Sequence, residues 1–535
     1  MPIFAAIKPN LYKDSVALMR VAQIVLAQPG VRRATLLMGT PANKDMLEQA
    51  GLLRAELGRA RPSDVMIVVD AETDQAIDAA NAGITGLLDG RPAQSSAGEA
   101  EQALPKSIAL GKARHTDAAI AQISVPGSYA AAEAMKALKQ GLHVFLFSNN
   151  VSLEQEFALK QLARSKGLLV MGPDCGTAII RGVPLGFANV VRKGAIGLVA
   201  ASGTGLQEVT CQIHALGQGV SQAIGTGGRD VYGEIGGITM GQAIDLLAAD
   251  AATRVIAIVS KPPSPAVAKA IVERVERVGK PCVVLFLGAE FEEAALPARI
   301  VAVTTLYDAA AAAVALAKVG RYDAAPLADD HQRVAAAEAR QVAVGQRHVH
   351  GLYSGGTFCS EAQLIWRALG LRVLSNVPVD AADALADNAC VASHRAIDFG
   401  TDEFTVGRPH PMIDMTKRVE QLAREASDAS AAVVVLDVVL GYGSHDDPGA
   451  ALAPAIAAAR AAAQKEGRHL AVVSFVCGTE EDPQRLSAQQ AKLREVGAIV
   501  VAGSTAAARL AGAIAVAAAN AAATPDRREA APSAR

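Results

Sequence analysis

One stretch constrains the fold of this chain more than any other: Ala195-Ile-Gly-Leu-Val-Ala-Ala-Ser202-Gly203-Thr204-Gly205-Leu-Gln-Glu208. Ile196 to Ala201 reads as a short buried strand, Ser202 to Gly205 as a tight turn, and Leu206 to Leu216 as a helix. A strand that opens through small residues into a helix leaves the N–H groups of the first helical turn unpaired, where they suit an anion. Upstream, Met171-Gly172-Pro173-Asp174-Cys175-Gly176-Thr177 ends another strand. Downstream, Gly225-Thr226-Gly227-Gly228-Arg229-Asp230 makes a third small-residue loop. Three such loops so close together predict a protein that handles a phosphate or acyl-phosphate species.

The rest of the chain repeats this device. At 535 residues it is too long for one core, and three or four domains are expected. Hydrophobic residues make up 51% but aromatics only 4%, as buried parallel strands under alanine-rich helices require. The pattern predicts a multidomain α/β protein: a Rossmann-like unit of parallel strands and crossover helices, two larger α/β domains, and a small N-terminal α+β domain. Residues 1–90 read as a ferredoxin-like or ACT-like sheet with helices on one face, and 91–115 as a linker. Residues 116–190 form the Rossmann-like unit, 191–320 the first of the two larger α/β domains, 321–345 a linker, 346–523 the carboxy-terminal domain and 524–535 a tail. Ala506 to Ala523 reads as a surface helix that ends the fold.

Charge and cysteine usage exclude several classes. Lys and Arg total 51 against 53 Asp and Glu, with no sustained basic patch and few aromatics for base stacking, so no nucleic-acid partner is expected. Six scattered cysteines without CxxC spacing give no disulfide framework or structural zinc site. With no apolar run of membrane-spanning length and no signal-peptide pattern, the expectation is a cytoplasmic protein without a membrane partner.

Within the loops, Ser202, Gly203, Thr204, Gly205, Gly227 and Gly228 are the candidate phosphate-binding residues, their amides lying at the positive end of a helix. Arg229 could pair with phosphate or carboxylate, or with Asp230 at the surface. Asn149, Asn150, Asp174, Cys175 and Thr177 follow strands of one unit and are candidates for a substrate or cofactor crevice, although the two asparagines could equally cap a helix. Glu208 fits either that crevice or a structural contact to a neighbouring loop. In the carboxy-terminal half, Gly355, Gly356 and Thr357 repeat the glycine-hydroxyl helix start, and Gly478 and Thr479 follow another strand. The irregular stretch Asp398 to Pro411 contributes Arg408 and His410, and Asp437 to Pro448 contributes His445. His410 and His445 are the candidates for proton transfer, with Arg229 and Arg408 as anion contacts. His445, Asp446 and Asp447 could hold a metal or cap the helix beginning near Gly449, and no metal is assigned.

These motifs resemble the FdrA family, whose members look like a fusion of the succinyl-CoA synthetase alpha subunit with the carboxy-terminal region of the beta subunit. The resemblance implies that the Rossmann-like unit is a CoA-binding-type domain and that the two larger domains are flavodoxin-like and succinyl-CoA-synthetase-type. The resemblance rests on Met38-Gly39-Thr40, Phe147-Ser148-Asn149-Asn150, Gly172 to Thr177, Ser202-Gly203-Thr204, Gly225 to Asp230, Gly407-Arg408-Pro409-His410-Pro411 and Asp437 to His445. The synthetase family's phosphorylated histidine has no counterpart, because no histidine occurs between His214 and His331. The chain also lacks the extra length of an ATP-grasp region. The resemblance implies a component of oxamate carbamoyltransferase, working with companion subunits to interconvert carbamoyl phosphate plus oxamate with oxalurate plus phosphate. The alternatives, ranked behind it, are an acyl-CoA synthetase-like subunit with CoA as cofactor and a non-catalytic regulatory or assembly subunit. No cofactor is required by the first reading. A homo-oligomer or hetero-oligomer is expected.

Overall fold

The computed structural model describes residues 2–11, 13, 15–49, 51–89, 105–289, 296–297, 299–323, 331–385, 392–405 and 409–523. The chain divides into two compact units, residues 1–106 with 402–409 and residues 107–401 with 410–535.

In the first unit, Val65–Ala71 is the central strand and pairs antiparallel with both Ile3–Lys8 and Val31–Met38. The outer strands therefore run parallel to each other and are joined by the Ser15–Leu26 helix, a split βαβ unit. Helices were expected on one face only; the structure covers both. Val65, Ile67 and Val69 pack toward Leu18, Val25 and Ile84, while Met66 and Val68 pack toward Leu47, Leu52 and Leu57. A central strand apolar at five successive positions, Val65 to Val69, has no side that tolerates water.

Among the described residues the second unit contains three sheets. Ile120–Ile123, His143–Leu146 and Val170–Met171 form a small parallel sheet with the Gly127–Lys139 and Leu153–Ser165 helices. The second sheet has seven strands. Its five parallel strands lie in the order Ile300–Ala302, Cys282–Phe286, Val255–Ser260, Lys193–Ala200, Val220–Gly225. By chain sequence this is the 2-1-3-4-5 flavodoxin order, with its switch point between Lys193–Ala200 and Val255–Ser260. A hairpin absent from the sequence reading, Thr177–Ile180 with Val183–Gly186, adds antiparallel beside Val220–Gly225.

The third sheet is parallel throughout: Val373–Ser375, His394–Asp398, His348–Tyr353, Ala431–Val439, Ala471–Cys477, Ile499–Val501. It departs from flavodoxin order by one strand, His394–Asp398, inserted beside His348–Tyr353.

One apolar core joins the second and third sheets through the Gly203–Ala215, Leu306–Val319, Gly356–Ala368 and Ser504–Ala523 helices. Trp366 is fully buried there, its indole N–H donating to the Ala508 carbonyl at 2.8 Å. The alanine-rich closing helix is therefore not a surface helix. Ala507, Ala511, Ile514 and Ala515 are buried, because small side chains let this helix lie close to its neighbours.

Candidate functional site where two helix starts meet

The strand Lys193–Ala200 ends at Ser202, whose extended backbone (φ −158°, ψ 119°) caps the Gly203–Ala215 helix. Its Oγ accepts the Gly205 N–H at 2.9 Å, so one orphan donor is satisfied and those of Gly203 and Thr204 stay forward. In the third sheet, Gly355 caps the Gly356–Ala368 helix without any side-chain cap. These two helix starts meet. Ser202 Oγ hydrogen-bonds Thr357 Oγ1, and a Cβ at Gly355 would collide with the Thr204 methyl. Two positive helix ends thus face a common point.

The three loops singled out from the sequence also converge. Asp174, Cys175, Gly176, Thr177, Ser202, Gly203, Gly225, Gly227 and Gly228 line one narrow crevice at the carboxyl ends of the strands. Gly227 (φ +81°) admits no side chain, since a Cβ there would strike the Pro173 carbonyl. Half of the lining residues are glycines, with Asp174, Cys175, Thr177 and Ser202 among the rest. Burial pushes the Cys175 thiol up to about 12, so it supplies no thiolate, and Thr177 Oγ1 is committed to the Phe187 carbonyl at 2.6 Å.

Other candidates lie elsewhere. Arg229 forms an ion pair with Glu156 at 2.8 Å and donates to the Val151 carbonyl, while Asp230 accepts from Lys160 and from the Thr239 and Met240 amides. Arg229 is thus held by Glu156, not by a surface pair with Asp230. Asn149 and Asn150 do not cap the following helix; Ser152 does, in a capping box with Gln155. Glu208 faces away from the crevice, accepting from Gln212 and from the Ser504 amide at 3.0 Å each, and burial pushes its carboxyl up. Thr479 donates to the Val190 carbonyl at 2.6 Å, and Asp482 completes this clasp by accepting from Thr479, Asn189 and Val190. Gly478 packs on Leu440. Thr479 and Asp482 tie the segment before the second sheet's Lys193–Ala200 strand to the third sheet, and neither Gly478 nor Thr479 lines the crevice. Asp447 caps the Pro448–Lys465 helix and pairs with Lys492 at 2.6 Å. His445 Nδ1 accepts the Asp447 amide. Arg408 lies outside the described residues.

His410 does lie near the helix starts. A Cβ at Gly400 would sit 3.2 Å from its Nε2 and 3.0 Å from Asp398 Oδ1. The Met412 N–H donates to His410 Nδ1 at 3.3 Å, and desolvation lowers the imidazole to about 4. The ring is therefore neutral near pH 7 with its proton on Nε2, a donor there and no base.

Sequence reasoning missed the charged rim of the third sheet. Asp437 accepts the Ser354 amide at 2.7 Å and its hydroxyl, and Arg418 braces Asp437 while donating to the Leu352 carbonyl. Asp398 and Lys261 flank Gly356. For Asp398, Asp437 and Lys261 the signal available was a position near or just beyond the end of an apolar strand, whereas Arg418 lies on the Thr416–Ser427 helix and gave none. Among the described residues one cluster has metal-ligating composition, His350, Glu425 and Asp428. Arg395 already sits in it, 2.6 Å from Glu425 and 3.0 Å from Asp428, supplying the positive charge itself.

This arrangement defines a CoA-ligase-type α/β protein. Residues 191–288 match the CoA binding domain model and 352–514 the CoA-ligase model, while 1–105 match a model described as AllF, heavy metal-associated domain. Escherichia coli (strain K12) YahF is 42% identical over 515 residues, covering 94% of this chain and 97% of that protein, and the chain belongs to the same family. The alpha 2 subunit of an ADP-forming succinate–CoA ligase from Archaeoglobus fulgidus is 28% identical over 124 residues, 22% of this chain and 43% of that protein. The solved structure of PH0766 from Pyrococcus horikoshii OT3 aligns with 80% of this chain and 88% of its own at 15% identity and a TM-score of 0.31.

The residues present do not fit a soft heavy-metal ion in the first domain. The first histidine of the chain is His115 and the first cysteine Cys175, so residues 1–105 hold neither ligand type. The crevice, by contrast, is lined largely by small residues beside a helix N-terminus. Among the described residues no helix is long and apolar enough to cross a membrane.

Proposed function

We propose that this chain carries the acyl-transfer half of a succinyl-CoA-synthetase-type reaction. An acyl phosphate is held where the Gly203–Ala215 and Gly356–Ala368 helices meet, and its acyl group passes to an acceptor with release of inorganic phosphate. The observation that carries this reading is the Ser202–Thr357 junction, which aims two helix N-termini at one point. The CoA-binding and CoA-ligase matches support CoA as the acceptor, for which it would supply the thiol. The amides of Gly203, Thr204, Gly227 and Gly228 bind phosphoryl oxygens, and the His410 Nε2–H offers a neutral donor on the opposite rim. Charge developing in the transition state is thereby met by fixed dipoles.

The test is incubation of the chain, alone and with companion subunits, with succinyl phosphate or acetyl phosphate and CoA. Thioester and phosphate should appear together without nucleotide. Replacing Ser202 by Ala with Thr357 by Val should lower kcat/KM about 10²-fold or more. No thioester from any combination overturns the reading.

A second reading is favoured by one specific observation, the absence of histidine between His214 and His331. Without a phosphohistidine the phosphate leaves directly, which suits transfer of a carbamoyl group from carbamoyl phosphate to oxamate as well as to a thiol. Formation of oxalurate and phosphate by the chain with companion subunits, without CoA, would select it. Assembly with such subunits in the cytoplasm belongs to the same proposal.

A further inference from the structure

Asp398 ends the strand His394–Asp398, beside the start of the Gly356–Ala368 helix. It is 6% exposed, and its Oδ1 accepts the Gly400 N–H at 2.8 Å. Among the described residues Oδ2 makes no hydrogen bond or ion pair, and it faces Gly356: a Cβ at Gly356 would lie 2.7 Å from it. The same point is 3.3 Å from the Lys261 Nζ, which follows the strand Val255–Ser260 at the switch point of the second sheet. Lys261 is exposed and forms no ion pair within 4 Å among the described residues. A carboxylate left unpaired at the positive end of a helix, with an uncommitted ammonium across from it, is placed to exchange a proton and not to brace the fold. The braces here are Asp437 and Arg418.

We propose that Asp398 is the catalytic base for the acceptor in the acyl transfer described above, with Lys261 as the cation that holds the departing phosphate. This rests on the acyl-phosphate reading. As the acceptor S–H or N–H bond breaks, its proton moves to Asp398 Oδ2 and its electron pair forms the bond to the acyl carbon. The carbon–oxygen bond to the phosphate then breaks, and the proton passes from Asp398 to that oxygen, giving hydrogen phosphate and restoring the carboxylate. No oxidant, metal or nucleotide is needed for the balance.

The surroundings suit the role. Burial raises the carboxyl to about 6, opposed by the Gly400 amide and Lys261 and reinforced by Asp437. His410 faces the same space as a neutral donor, and the Cys359 thiol nearby is pushed up to about 12 by its own burial and stays protonated. A base poised just below neutral pH is ionised in use yet returns its proton readily. His410, neutral and a donor at Nε2, is not such a base.

Two measurements on the full chain, with companion subunits where turnover requires them, test the assignment. Asp398→Asn keeps the oxygen that accepts the Gly400 amide. Turnover of the acyl phosphate should fall about 10²–10⁴-fold in kcat and lose its acidic limb near pH 6. Independently of turnover, calorimetric binding of inorganic phosphate should be several-fold tighter in Asp398→Asn than in wild type at pH 8 and equal at pH 5, because the ionised carboxylate repels the anion. Lys261→Met, a change at an exposed position, should move the wild-type acidic limb to higher pH and weaken phosphate binding, which keeps the test alive should the Asn variant fold poorly. An unchanged acidic limb and an unchanged phosphate affinity ratio across pH would overturn the role of Asp398 while leaving the acyl-phosphate site intact. A wild-type protein that neither binds phosphate nor consumes acyl phosphate would overturn both.

Discussion

The second and third sheets of the larger unit share strand–glycine–helix construction but equip their rims in opposite ways. Around Ser202 the rim is backbone: glycines at 203, 205, 225, 227 and 228, with hydroxyls spent on capping or on carbonyls. Around Gly355 the rim is ionisable, with Asp398 and Asp437 buried toward strand ends and Arg418 buried on the Thr416–Ser427 helix. Amide dipoles bind an anion at every pH, whereas buried carboxylates and guanidinium groups set protonation state and position. The Ser202–Thr357 junction brings the two kinds of rim together, a combination that neither half holds alone.

This contrast can be broken most severely from the charged side. Replacing Arg418 by Met should cost about 3–5 kcal/mol, because Asp437 would remain buried without its partner. Urea unfolding would measure it, and a loss below 1 kcal/mol would mean that Arg418 does not brace the Ser354 turn. Next in size, Gly355→Ala should cost about 1–3 kcal/mol by forcing the two helix starts apart at Thr204. A matching drop in phosphate affinity would tie packing to the site; stability loss with unchanged affinity would separate them. Ser202→Ala on the backbone side should cost only about 0.5–2 kcal/mol, the worth of a helix cap.

The smallest effect concerns pH. Burial raises Glu361 to about 7 while Ser504, Thr505 and the Leu306 amide donate to it. Between about 4.5 and 7 the folded protein holds a proton that the unfolded chain has released. This contribution is therefore complete below the unfolded value and is lost as pH rises through 7. Thermal melts from pH 4.5 to 8 should show a shallower decline for Glu361→Gln than for wild type, and parallel curves would count against the shift.

Much of the fold was legible because strand and helix signals are local. The apolar runs at 196–201 and 431–436, each ending in glycine or a polar residue, predict strands and the loops beyond them. The closing helix misled because alanine fits both an exposed helix and a close-packed buried one. The Thr177–Gly186 hairpin was overlooked because its strands are four residues each and follow a loop already marked as special. In the site, Ser202, Gly203, Gly227 and Gly228 were readable from glycine placement, since tight backbone approach demands that residue. Arg229 and Thr479 have the right chemistry but spend it on Glu156 and Val190, a choice made by partners far along the chain.

The sequence by itself determined where strands end, where helices begin, and that no histidine is present to take a phosphoryl group between His214 and His331. Only the tertiary structure decided that Ser202 and Thr357, separated by 155 positions, share a hydrogen bond, and that Asp398 and Lys261 look at the same glycine. Backbone propensity acts over a few neighbours, whereas the charge state and exposure of a side chain depend on which distant elements the packed sheets bring against it.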